Sequence, residues 1–215
     1  MNTIKKNIDQ FLLGPFYRQF TNTIYKETRD CKSLLDIGCG FNPAMKKITS
    51  GMERSVGLDA FVPSIEKAKK INTHSEFIIE DVMTALEKFP DKSFDVVTAL
   101  DLIEHLEKEK GLWLKQQMER IARKKTIIFT PNGFVIQRPY DNNPWQEHKS
   151  GWEYDEMKNY GYTIYGFGGY KKLRGERFAI RYKPRILWKY FSFFTQLFTF
   201  NNPDKAFGIL CIKQL

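Results

Sequence analysis

Short apolar runs alternate with stretches of helical period along most of this chain. Residues 33–37 read as a buried strand built on Leu34, Leu35 and Ile37, and 54–59 as the next. Phe77-Ile78-Ile79, Phe94 to Leu100, Thr126 to Thr130, Gly161 to Gly169 and 206–213 continue the series. Between them, 43–50 and 64–71 carry helical spacing, as does 112–121 with Leu112, Trp113, Met118 and Ile121 on one face. A further helix is expected near Met83, with Asp81 placed to cap it. Ser150-Gly-Trp-Glu153 has capping-box spacing and predicts a helix to about Tyr160. Residues 1–29 predict two helices broken at Gly14-Pro15, one striped by Ile4, Ile8, Phe11 and Leu12, the other by Phe16, Phe20 and Ile24. Alternating strands and helices predict a parallel α/β sheet, with ligands at the carboxyl ends of the strands.

The stretch Leu34-Leu-Asp-Ile-Gly-Cys-Gly-Phe-Asn-Pro43 is a strand followed by a glycine loop and a helix start. A dinucleotide fingerprint would need glycine where this chain has Pro43. Asp36 would also put a negative charge beside a pyrophosphate. A cationic ligand removes that objection: S-adenosylmethionine (SAM) carries a sulfonium and an amino group, which a carboxylate favours. Asp59, at the end of the second strand, is placed to accept hydrogen bonds from ribose hydroxyls.

Residues 34–43 resemble the first motif of class I SAM-dependent methyltransferases, and an ordered set of segments follows it. These are Val56-Gly-Leu-Asp59, Phe77-Ile-Ile-Glu-Asp81, Phe94 through His105, and Ile127-Ile-Phe-Thr-Pro-Asn-Gly133. The resemblance spans roughly residues 30–170. It implies one Rossmann-like domain over 1–215: a seven-stranded sheet whose last strand inserts antiparallel between strands five and six. Residues 1–29 would form a helical cap, and 170–205 a basic, aromatic insertion with a helix before the last strand. Asp36, Gly38 and Gly40 would hold the methionine end of SAM, Asp59 the ribose, and Asp81 with Val82 the adenine. Cys39, Ala60 and Leu100 complete the expected cofactor-binding set. Asp95 is expected to be structural.

Methyl transfer to oxygen or nitrogen needs a positioned acceptor and a proton acceptor. His105 follows the fourth strand, and His148 sits in the long polar, aromatic loop 134–150; these are the candidate catalytic residues. His74, before the third strand, reads as a surface residue. Asp101-Leu-Ile-Glu104-His105 is similar to the Glu-x-x-Glu-His of ubiquinone-biosynthesis O-methyltransferases and small-RNA 2′-O-methyltransferases, where it holds a divalent metal. His148 would then be the distant histidine. The competing reading, which the sequence favours, has no metal: Glu104 serves a helix N-terminus and a histidine acts as base. The expected reaction is methyl transfer to a small-molecule or lipid-linked acceptor at oxygen. The alternatives are an RNA methyltransferase using the basic C-terminal segment and a non-catalytic SAM- or partner-binding protein.

Charge changes the picture in one region. The net charge is +9, and residues 171–215 hold ten Lys/Arg against Glu176 and Asp204. Such a segment suits an anionic partner or a solvated face. From Pro184 to Phe200, Lys189, Ser192, Gln196 and Thr199 share one helical face and nearly everything else is apolar. That apolar face is expected to pack within the protein or a homodimer, with a peripheral membrane contact through 184–200 as the alternative. Nucleic acid is the less favoured partner. Three scattered cysteines, Cys31, Cys39 and Cys211, form no disulfide or zinc pattern and point to a reducing cytoplasm. The N-terminal stretch does not read as a signal peptide, and no run reaches membrane-spanning length.

Overall fold

The computed structural model describes residues 3–139, 143–175 and 177–215, with side chains from Leu13 onward. Seven strands form one sheet in the order β3-β2-β1-β4-β5-β7-β6. They are β1 (Ser33–Ile37), β2 (Arg54–Asp59), β3 (Glu76–Ile79), β4 (Phe94–Leu100), β5 (Ala122–Pro131), β6 (Thr163–Tyr170) and β7 (Ala206–Gln214). The strands β1 to β5 pair in parallel, and β7 runs antiparallel between β5 and β6, as the resemblance implied.

Both faces of the central strands are covered, so they read as continuous apolar runs. Leu35, Val97, Ile128 and Cys211 face one core with Met118 and Ile121. Their neighbours Leu34, Val96, Ile127 and Leu210 face the other, with Ile24, Met45 and Ile48. The helix contributing Met118 is α5 (Lys108–Ile121), whose buried positions 111, 114, 118 and 121 follow helical spacing. It begins four residues earlier than the apolar pattern suggested. The remaining helices are α1 (Thr3–Thr28), α2 (Met45–Ile48), α3 (Val62–Lys70), α4 (Val82–Ala85), α6 (Tyr154–Asn159), α7 (Arg185–Phe194) and α8 (Gln196–Thr199).

Several expectations need correction. The helix break at Gly14-Pro15 does not occur: α1 runs unbroken through Pro15. Proline costs a helix one hydrogen bond, and here tertiary packing outweighs that loss. Leu13, Phe16 and Ile24 bury on one side, and Phe20 packs edge-on against Phe129 and Phe167. The side chains of Ile4, Ile8, Phe11 and Leu12 lie outside the described residues, as do Met1 and Asn2. The helix expected over 43–50 is a single turn, because Asn42 Oδ1 accepts the Ala44 N–H (3.1 Å) and holds Pro43-Ala44 in a turn. The capping box at Ser150 is absent. Ser150 Oγ instead donates to the Ile103 carbonyl (3.3 Å) and accepts from Trp152 Nε1 (3.0 Å), so α6 starts after Glu153 without a side-chain cap.

The segment α7–α8 lies against the edge strand β6. Its apolar side chains pack on the protein only in part: Phe193 and Phe194 meet Phe16, and Phe200 meets Tyr165 and Phe167, whereas Ser192, Gln196 and Thr199 are buried and Leu187, Phe191, Leu197 and Phe198 face solvent. Gly166 and Gly169 make the contact possible. A β-carbon on Gly166 would stand 2.1 Å from the Thr199 carbonyl oxygen, and one on Gly169 1.8 Å from that of Ser192. Polar groups seal the seam: Gln196 Oε1 accepts the Gly168 N–H (2.9 Å), and Thr195 Oγ1 accepts that of Tyr170 (2.8 Å). Among the described residues, no helix is long and apolar enough to cross a membrane.

Candidate active site

The chain leaves β1 toward β2 and β3, then returns to place β4 on the other side of β1. At this switch point the loops at the strand ends splay apart and leave a crevice. It holds a cavity of about 550 Å³, within the usual range for a cofactor or small ligand. Asp36, Gly38, Cys39, Gly40, Asp59, Ala60, Asp81, Val82 and Leu100 all line it, so every residue expected to bind cofactor is brought together. His105 and His148 line the same cavity.

Each acid has a distinct setting. Gly38 adopts φ 66°, and a β-carbon there would stand 2.7 Å from Leu102 Cδ1, so any other residue strains this turn and displaces Leu102. Asp59 then pins the loop: its oxygens accept the N–H groups of Gly40 (2.8 Å) and Phe61 (2.7 Å). Burial nevertheless pushes its carboxyl up. Each oxygen keeps a second lone pair for a ligand hydroxyl. Asp36 forms the floor. Thr98 Oγ1 donates to one of its oxygens (2.6 Å), and His74 Nε2 lies 3.4 Å from the other. His74 is therefore buried, not a surface residue: its ring fills the space over Gly57, which lacks a β-carbon, and packs edge-on against Phe77. Asp81 caps α4 through the Met83 N–H (2.8 Å) and lines the cavity as well, so capping does not take it away from the cavity. Asp95 is structural: it accepts from Lys32 N (2.7 Å) and Arg123 Nε (2.9 Å) beneath the sheet.

At the other end of the cavity two imidazoles meet edge to face, with ring centroids 4.8 Å apart. His105 Nδ1 lies 3.1 Å from the Glu147 carbonyl oxygen, and His148 Nδ1 2.7 Å from that of Val135. A carbonyl only accepts, so each Nδ1 carries the proton and each Nε2 keeps its lone pair. Burial lowers both pKa values. His148, further disfavoured by His105, is pushed down to about 4. Both rings are neutral near pH 7.

Glu104 is buried beside them, and its Oε2 has no hydrogen-bond partner. Burial, then the nearby Asp101 charge, raises its pKa well above the carboxylate range. A carboxylate oxygen of Glu104 and one nitrogen from each ring lie within 4.8 Å of one another. Asp101 is not part of this cluster; it takes a left-handed backbone (φ 54°) and lines the cavity, where burial pushes its carboxyl up to about 7. Glu104 does not serve a helix N-terminus either, since α5 begins at Lys108.

Gln137, Asn143, Trp145, Gln146 and Phe178 also line the cavity. The first four belong to the long polar, aromatic loop 134–150, though apart from His148 nothing singled out positions in it; Tyr140 to Asn142 lie outside the described residues. Phe178 comes from the insertion after β6 and packs against His148 with centroids 5.9 Å apart.

Residues 35–130 match the family model described as methyltransferase domain. Three solved structures are similar along most of the chain. A SAM-dependent methyltransferase from Archaeoglobus fulgidus is 17% identical over 91% of this chain and 94% of that one, with a TM-score of 0.57. The methyltransferase domain of bacterial CtHen1 is 16% identical over 93% and 100%, with a TM-score of 0.57. The N-methyltransferase NodS from Bradyrhizobium japonicum WM9 is 12% identical over 93% and 96%, with a TM-score of 0.55. A search of curated proteins finds no match. The sheet has the class I methyltransferase fold that these structures share, and the stretch 35–130, which supplies most of the cavity's lining, is similar to a methyltransferase domain.

Proposed function

We propose that the chain transfers the methyl group of SAM to a hydroxyl oxygen of a small-molecule or lipid-linked acceptor. The observation that carries this reading is the pair of neutral imidazoles, each with Nδ1 tied to a carbonyl and Nε2 free, in the cavity that the motif acids line. Asp59 and Asp81 would take the ribose and adenine. Asp36, with one oxygen accepting from Thr98 and the other 3.4 Å from His74, would act on the cationic methionine end through its charge. The acceptor oxygen attacks the methyl carbon as the C–S bond breaks, and the electron pair leaves on sulfur to give S-adenosylhomocysteine. The acceptor proton passes to a histidine. His105 is the stronger candidate, because His148 is pushed down to about 4 and base strength falls with pKa.

One observation favours a second reading of the same reaction. A buried carboxyl with an unpartnered oxygen, which would lose its proton on binding, beside two imidazoles with free nitrogens is a donor set that fits a divalent cation such as Mn²⁺ or Fe²⁺. The carbonyl contacts at both Nδ1 atoms resemble the outer hydrogen bonds that orient ligating histidines. Glu104, His105 and His148 would hold the ion, and when bound it would lower the pKa of an acceptor hydroxyl.

Calorimetric titration with SAM and with S-adenosylhomocysteine tests the cofactor site, and titration with Mn²⁺ tests the cluster. Micromolar SAM binding that Asp59→Ala removes supports the assignment. Mn²⁺ heat that Glu104→Gln and His148→Ala each abolish favours the metal; its absence leaves His105 as the base. If neither nucleoside binds, the proposed reaction is wrong.

A further inference from the structure

The segment α7–α8 wears its amphipathicity inside out. Ser192 (0% exposed), Gln196 (2%) and Thr199 (0%) repeat at helical spacing and turn toward the protein. Leu187 (64%), Phe191 (52%), Phe194 (48%) and Phe198 (53%) repeat on the opposite side, with Ile186 and Leu197 beside them. A solvated helix of a folded domain has the reverse arrangement. The buried polar side is no accident of placement: Gln196 Nε2 donates to Gln19 Oε1 (3.0 Å), and the carbonyls of Ser192 and Thr199 occupy the space that Gly169 and Gly166 leave open. Rotating the helix to hide its apolar side would break all of these contacts. An exposed apolar patch on this scale marks an interaction surface.

Charge identifies the partner. Residues 177–203 contain Arg177, Arg181, Lys183, Arg185 and Lys189 and no acid. The first four are exposed and precede or open α7 in the chain. Trp188 and Tyr182 pack together at the same end, with centroids 4.9 Å apart. Amphipathic aromatic rings and a basic rim around an apolar face are what a headgroup–acyl boundary accepts. Exposed leucines and an isoleucine offer nothing to a nucleic acid, whose phosphates want cations and whose bases want flat rings. A second copy of the chain would bring the same positive rim against itself.

We propose that the outward face of α7–α8 docks on an anionic lipid bilayer, its apolar side chains entering the headgroup boundary and its basic rim meeting lipid phosphates. The docking segment also reaches the cavity. Arg174 lies over Phe193 of α7 (5.6 Å) and Phe207 (4.8 Å), and its Nη1 donates to the carbonyl of Phe178 (3.3 Å).

The test is co-sedimentation with vesicles of phosphatidylcholine, alone or mixed with phosphatidylglycerol, using the full chain. The wild type is expected to pellet with the anionic vesicles and at least about ten-fold less with the neutral ones, since each basic side chain contributes about five-fold near an anionic surface. Leu187→Asp with Leu197→Asp should lower partitioning by about ten-fold per leucine. Both side chains point to solvent, so thermal unfolding and SAM affinity should stay at wild-type values. Arg181→Glu with Lys183→Glu and Arg185→Glu should remove the preference for anionic vesicles. The proposal is overturned if the wild type stays in the supernatant with anionic vesicles. It is also overturned if equilibrium sedimentation finds a dimer that Leu187→Asp with Leu197→Asp dissolves, or if single-stranded RNA, and not the vesicles, binds.

Discussion

The carbonyl oxygen of Thr199 stands 2.1 Å from the point where a β-carbon on Gly166 would lie. Helix and strand backbones touch here with no side chain between them. Gly166→Ala must therefore push α8 off the sheet edge or distort β6. Overpacking of this kind costs about 1–3 kcal/mol. Gly169→Ala adds a left-handed backbone (φ 75°), worth about 1–2 kcal/mol more. Urea unfolding is expected to show both variants destabilised, Gly169→Ala the more so, while the strand pairing of β1 to β5 survives.

Gly38 tests the other end of the molecule. Its left-handed turn strains alanine, and the 2.7 Å approach forces Leu102 aside. Gly38→Ala should shift the loop that Asp59 anchors through Gly40, and weaken SAM binding by about ten-fold or more, given about 1.5–3 kcal/mol for a hydrogen bond to a charged group. Calorimetry would read the loss. Unchanged affinity would mean that this loop does not position the cofactor.

These two glycines differ in how openly the sequence announces them. Gly38 sits in a strand–loop–helix pattern with acids at fixed offsets, and that order made the cofactor end of the cavity legible. Gly166 appeared only as part of a glycine-rich strand end, because its reason lies thirty-three residues away in the Thr199 backbone. Periodicity likewise separated Ser192, Gln196 and Thr199 from the apolar residues around them. It could not say which side faces the protein, since that depends on glycines in another element. His74 read as exposed because nothing local predicts the slot over Gly57 or the nearby Asp36. Phe178 had no signal: it reaches His148 only through the path of the insertion.

The cysteines offer a reactivity test. All three are buried and free. Burial pushes the Cys31 thiol up to about 11 and raises Cys39 and Cys211 further. The thiolate is the reactive form, so iodoacetamide at pH 8 should leave all three unmodified in the native protein and alkylate all three in guanidinium. Mass spectrometry gives the count. Rapid native labelling of Cys39 would show that the glycine loop opens in solution.

Asp95 supplies a pH-dependent contribution to stability. Burial would raise its pKa, but the Lys32 N–H and the Arg123 guanidinium outweigh that and hold it below the ordinary carboxylate value. A carboxyl with a depressed folded pKa favours the folded state above its unfolded pKa, about 3.9, and loses that contribution as pH falls through the lower folded value. Asp95→Asn should thus cost about 1.5–3 kcal/mol at pH 7, the range for a hydrogen bond to a charged group. The gap from wild type should narrow steadily below about pH 4, as the wild-type carboxyl itself takes up a proton. Urea titrations of both proteins from pH 7 to pH 3 measure the gap directly. A constant difference across that range would mean that Asp95 contributes shape and not charge.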